Sequence, residues 1–84
     1  MKVEQTLQER NKTHGDFKSQ ACTAQVIKEA IKLSPNWHKM TSAQREALEL
    51  ISTKISRLCH GDPFHKDSWH DIEGYARLGG DHEQ

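Results

Sequence analysis

Between Ala47 and Cys59 every apolar residue but Leu50 falls at position 47, 48, 51, 55, 58 or 59. At about 100° per residue this spacing collects them into one arc of roughly 120° on an α-helix. The segment also carries its own punctuation. Thr41-Ser42-Ala43-Gln44 reads as a capping box, with Thr41 at the N-cap and Gln44 reaching back. Gly61 supplies a C-terminal stop. A helix from Thr41 to about His60 therefore anchors the fold.

The rest of the chain follows the same logic, and no strand-like alternation of useful length, internal repeat or low-complexity tract interrupts it. A short polar helix is expected from Val3 to Arg10, then a break at Gly15, with Asp16 as N-cap of a helix over Phe17 to Leu33. Ser34 before Pro35 ends that helix, because the residue preceding a proline is pushed out of helical dihedrals. The last helix begins near Asp67 or Ser68 and stops at Gly79-Gly80. The expected fold is all-α: one domain over residues 1–84, a small bundle of three to four helices with an antiparallel C-terminal hairpin. Residues 1–15 form a polar N-terminal segment and residues 81–84 a frayed tail.

Composition sets how stable such a bundle is alone. Of 84 residues, 33% are hydrophobic and 29% charged, and a small domain buries only about 60% of its unfolded surface. The helix over 17–33 is apolar on two sides, Phe17, Ala21, Ala24, Ile27 and Ile31 on one, Cys22, Val26 and Leu33 on the other. Two apolar sides imply two partners, and the second is expected to be another copy in a homodimer. Acids and bases balance at 12 each, so no bulk charge draws nucleic acid or an anionic membrane. No apolar run reaches membrane-spanning length, and the start MKVEQTLQER holds no signal-peptide core. Two cysteines, Cys22 and Cys59, make no disulfide framework; both are expected to be small core residues in a reducing cytoplasm.

On the wheel of the 41–60 helix, Lys54 falls between Leu50 and the apolar arc, and Arg57 lies just beyond Leu50. A cation flanked by apolar positions needs a partner. The last helix supplies one: Trp69, Ile72, Tyr75 and Ala76 form its apolar face, with Asp67 and Asp71 stacked four apart beside Tyr75. Lys54 and Arg57 are expected to meet Asp71 and Asp67 across the hairpin, so that Lys54, Arg57, Asp67, Trp69, Asp71 and Tyr75 act as structural mortar. The alternative for Asp67 is capping the start of its helix. Gly74 inside that helix implies a second backbone packed close by.

The stretches HGDF at 14–17, KISRL at 54–58 and DSWHDIEGYARL at 67–78 resemble a small family of uncharacterised bacteriophage and prophage proteins. The matching positions are Gly15, Asp16, Phe17, Lys54, Ser56, Arg57, Asp67, Trp69, Asp71, Ile72, Gly74 and Tyr75. The resemblance covers about Glu9 to Leu78 and implies a phage or prophage origin and a compact helical fold, with no activity attached; the reducing cytoplasm expected from the cysteines is then that of the host. A looser similarity is to the all-α nucleotide pyrophosphohydrolases, whose E-x-x-E and E-x-x-D helices hold Mg²⁺ against a triphosphate. Glu46 and Glu49 fit the first half; Asp67 and Asp71, at D-x-x-x-D spacing, do not fit the second. Both glutamates also lie away from the apolar arc, Glu49 four residues after Arg45 as in an ordinary surface pair.

Three function classes follow. The first is a non-enzymatic accessory protein that binds a host or phage protein, with no cofactor and no metal. The second is a Mg²⁺-dependent pyrophosphohydrolase-like enzyme using Glu46, Glu49, Asp67 and Asp71. The third is a nucleic-acid-binding module using Lys12, Lys18, Lys28, Lys32 and Lys39 beside Trp37 and His38. The binding surface of interest is Trp37, His38 and Lys39, against the simpler reading that Trp37 covers the end of the bundle. The histidine-rich stretch His60, His65, Asp67, His70 matches no closed zinc spacing.

Overall fold

The computed structural model describes residues 2–81. They form four helices: α1 Lys2–His14, α2 Phe17–Lys32, α3 Ser42–His60 and α4 Lys66–Gly80, with a short 3₁₀ turn at Trp37–Lys39. No strand occurs among the described residues, and the fold is the all-α bundle that the helical spacing implies. The tail expected at 81–84 lies, beyond Asp81, outside the described residues.

Helix ends follow local chemistry. The first helix runs past Arg10 to His14, because its break waits for Gly15. That glycine takes φ +83°, and its N–H closes a 2.8 Å bond to the Asn11 carbonyl, the left-handed cap that only glycine adopts at no steric cost. Asp16 then caps α2, its carboxylate accepting from the Ser19 N–H at 3.2 Å. At α3 both halves of the capping box are present: the Gln44 N–H donates to Thr41 Oγ1 at 3.1 Å, and the Thr41 N–H donates to Gln44 Oε1 at 2.9 Å. The N-cap of α4 is His65, which makes no side-chain capping bond. Asp67 therefore sits inside the first turn and does not cap.

The arrangement is a layer with α3 in the middle. One side of α3 carries Glu49, Ser52, Ser56 and His60 and packs on α2, as the Lys32–Glu49 contact at 3.7 Å and the Thr23–His60 bond at 2.6 Å show. The opposite side carries Ala47, Lys54 and Leu58 and packs on α4, as the 2.9 Å Lys54–Asp71 pair shows. Pairing 54 with 71 and 47 with 79 makes α3 and α4 antiparallel. The outer helices α2 and α4 scarcely meet.

Small residues make these two seams close. Ser52, Ser56, Ser68, Ala24 and Ala47 are all buried. The first two serines satisfy their hydroxyls inside α3, Ser52 donating to the Leu48 carbonyl and Ser56 to the Thr53 carbonyl, each at 2.7 Å. A buried hydroxyl with its bond made costs little, and its size lets the neighbouring backbone approach.

Several expectations are corrected here. The apolar arc of α3 is not one buried stripe: Ala47 and Leu58 are buried, Leu48 and Ile51 half-buried, Ile55 and Cys59 exposed. The arc points partly at α4 and partly out of the layer. Both cysteines are free and exposed, so neither is a core residue. Gly74 has open space where a Cβ would stand, so no second backbone packs there. Gly74→Ala is therefore expected to stabilise the protein by about 0.5–1 kcal/mol through helix propensity alone, read as a higher midpoint in a thermal melt.

Candidate functional site

Two surfaces of the layer differ in kind. On one, Leu48, Ile51, Ile55 and Cys59 of α3 stand between α2 and the Trp69, Ile72 and Ala76 side of α4. Two apolar grooves run along it. One of about 500 Å³ is lined by Ile55, Leu58, Cys59, Trp69 and Ile72 among others, and one of about 280 Å³ by Met40, Leu48, Ile51, Ala76 and Gly79 among others. Wheel positions place Thr23, Ile27 and Ala30 of α2 on this same face. Trp69 is 55% exposed, and its indole N–H donates to the Pro63 carbonyl at 2.8 Å. Its ring is thus held in place by its polar end and leaves its apolar surface toward solvent.

The other surface is mixed: Leu50, Tyr75 and Leu78 among others line an apolar groove of about 340 Å³ there, charged side chains stand beside it, and α1 packs against α2 and α3. Lys54, with its side chain 15% exposed, is met by Asp71 at 2.9 Å. The hydrogen bond from Lys54 holds the Asp71 carboxyl below its ordinary 3.8, reinforced by the Lys54, His70 and Arg57 charges and opposed by partial desolvation. A carboxyl depressed in the folded state contributes stability that is complete above the unfolded value and is lost as pH falls through the folded one. Asp71→Asn is accordingly expected to lower the melting temperature at neutral pH and to shrink the acid-induced drop below pH 3.8, as thermal melts across that range would read.

The remaining predicted residues separate. Arg57 makes no ion pair among the described residues, and its Nε is buried without a partner. Asp67 is exposed and unpaired among the described residues, so the mortar reduces to one bridge. Tyr75 is half-buried beside Leu50 and Leu78. The Arg45–Glu49 pair expected on the surface is replaced: Glu49 faces Lys32 at 3.7 Å. Arg45 instead lies over the Trp37 ring at 5.7 Å and donates to the Trp37 and His38 carbonyls at 3.0 and 3.1 Å. The aromatic platform at Trp37 is thus filled by the chain's own guanidinium, and only His38 and Lys39 stay exposed. Glu46 is exposed. Among the described residues no group of three or more histidine, cysteine or acidic side chains gathers as a metal would require.

One feature escaped the sequence reading. The tripeptide His-Gly-Asp occurs twice, at 14–16 and 60–62, and the structure lays the two copies against each other. A Cβ on Gly15 would strike the His60 carbonyl, and a Cβ on Gly61 the Thr13 carbonyl. The Asp62 N–H donates to the Thr13 carbonyl at 2.8 Å. This crossing brings the His14 ring edge-on to His65, with centroids 5.4 Å apart. Burial pushes the His14 imidazole down from its usual 6.5, and the Arg57, Arg10, His65 and Lys54 charges push it further. Burial and the Arg10 charge likewise push the Arg57 guanidinium down from its ordinary value, against the Asp71 and Tyr75 contributions.

No helix among the described residues is long and apolar enough to cross a membrane. A family model described as a domain of unknown function, DUF6378, matches residues 2–83. No curated protein and no solved structure matches the chain.

Proposed function

The chain belongs to the DUF6378 domain family, and we propose that it is a non-enzymatic accessory protein that acts by binding protein, its first partner being a second copy of itself. The open apolar face carries this reading. Domains are built from two packed layers around one core, and here three helices make a single layer. Among the described residues its buried apolar side chains are Ala24, Ala47 and Leu58 alone. A second layer is what the fold lacks. An isologous dimer supplies it by setting the same face of each copy together.

The dimensions suit a dimer. A helix of 19 residues such as α3 is about 28 Å long, and the molecule is 25 Å across its middle axis. The face is therefore on the order of 700 Å² in projection, close to the ~800 Å² per partner of a standard interface. Because α3 is central, the two-fold axis falls near Ile51 and Ile55. Leu33 and Phe64, 85% and 84% exposed, lie outside that face and remain available to a host or phage protein. A phage or prophage setting rests on the GDF, K-x-S-R and D-x-W-x-D-I-x-G-Y stretches. A host-cytoplasm location is supported by that setting and by two thiols left free.

Sedimentation equilibrium over a concentration series tests the reading. The expected mass is twice the 9.6 kDa of one chain; one chain mass at every concentration would sink it. Release of pyrophosphate from nucleoside triphosphates with Mg²⁺ would replace it with the enzymatic reading.

A further inference from the structure

The tripeptide His-Gly-Asp follows the same course at the ends of α1 and α3, yet the helix pairs it joins differ. After His60 the chain turns back, and α4 packs antiparallel along α3. After His14 it does not: every residue of α1 from Lys2 to Glu9 is exposed, and only Arg10, Thr13 and His14 are half-buried. The molecule is 46 Å long against about 28 Å for α3, and the excess is close to the ~20 Å length of the 13-residue α1. The first helix therefore stands out from the end of the layer as an arm.

Both edges that a hairpin would join are bare. On the arm, Val3 and Leu7 are 66% and 53% exposed, and four residues apart they share one side. On α2, Cys22 and Val26 are likewise four apart, on the side turned away from the buried Gln20 and Ala24. Cys22 is exposed, and Val26 is 64% exposed. A helix this short is marginal in water without tertiary packing, so the arm draws its stability from a partner.

The chain's own α2 cannot cover it. The link is two residues long, Gly15 and Asp16. Gly15 is set at φ +83° against the His60 backbone, Asp16 is spent as the cap of α2, and the Asp62 amide holds the Thr13 carbonyl at 2.8 Å. Folding the arm back onto α2 breaks this crossing. An arm from another molecule reaches the same edge with both hinges unchanged.

We propose that two copies exchange their first helices. The Val3–Leu7 edge of one protomer lies antiparallel on the Cys22–Val26 edge of its partner, Leu7 against Cys22 and Val3 against Val26. A two-fold axis makes this seam twice, and short hinges favour such an exchange of identical elements. The exchange rests on the proposed self-association but uses a different edge of the molecule, so either can fail alone.

The test uses the full chain carrying Cys59→Ser and Leu7→Cys, with the native Cys22 as the second thiol. Isotope-labelled and unlabelled chains are mixed, oxidised with glutathione disulfide and mapped by peptide mass. The expected result is a disulfide between positions 7 and 22 of different chains, in a species of twice the 9.6 kDa chain mass, since residues facing each other across the seam come within disulfide reach. The same bond within one chain would show the arm folded on its own α2, and no such bond would show that the arms are not exchanged; either overturns the proposal. Leu7→Glu, at a position exposed in the single chain, is expected to keep the helix content and weaken self-association about 100-fold, because one leucine leaves each seam. A mass of two chains kept in Leu7→Glu but lost in Ile55→Glu would remove the exchange and leave the apolar face as the interface. The reverse would uphold the exchange and remove the apolar face.

Discussion

Ile55→Glu is expected to turn the proposed dimer into a monomer, with self-association weakened by about 100-fold or more. Ile55 lies at the middle of the open face and is 38% exposed in the single chain. In a monomer a glutamate there stays in water, and the helix tolerates it. In the proposed dimer the two-fold axis would bring two such carboxylates close, both stripped of water and with no cation facing them. An unpaired buried charge costs several kcal/mol, and every ~1.4 kcal/mol is a factor of ten in the dissociation constant. The readout is mass by sedimentation, with circular dichroism to confirm that helix remains. Glu46→Gln, on the polar side of α3, serves as the control and should leave the mass unchanged. A protein carrying Ile55→Glu that still sediments at twice the chain mass would remove the apolar face as the interface.

The other large effect lies at the glycine crossing. Gly15→Ala and Gly61→Ala are each expected to lower stability by about 3 kcal/mol, for partly different reasons. At Gly15 the φ of +83° alone costs a residue with a Cβ about 1–2 kcal/mol. The same Cβ would also come within 2.6 Å of the His60 Cβ and collide with its carbonyl. Gly61 has φ −115°, outside the left-handed region, and there it is the collision that is on view, with the His14 carbonyl carbon at 2.6 Å among the nearest atoms. For a domain this size, 3 kcal/mol lowers the melting temperature by roughly 12–24 °C. The two changes break one contact, so the double substitution should cost little more than the worse single one. A melting temperature within about 2 °C of wild type for either would show that the backbones part without penalty.

The helices were legible because their signals are local. The capping box at Thr41, the cap at Asp16 and the apolar spacing of α3 each specify an element without reference to the rest of the chain. What faces what was harder. An apolar residue reads as buried, yet here Ser52, Ser56 and Ser68 occupy the seams while Ile55, Trp69 and Leu78 stay exposed. The reason is architectural: in a one-layer packing the seams select for small size, and larger apolar side chains fall outside them, Ile55 and Trp69 on one surface and Leu78 on the other. Lys54 was identifiable because apolar neighbours flank it, and its acid lies in the next helix. The cluster at His14 was not, since it depends on a crossing between positions far apart. Its only trace is a tripeptide seen twice, too short to stand out from chance.

That crossing also governs how the chain closes. The bond from the Asp62 amide to the Thr13 carbonyl shuts a ring containing all of α2 and α3, and the entropy of shutting a ring grows only slowly with its length. Since α1 buries no residue of its own, two glycines and one amide fasten it. The first helix is thus a latch, expected to lift before the three-helix layer opens, as faster amide exchange in α1 than in α3 would show.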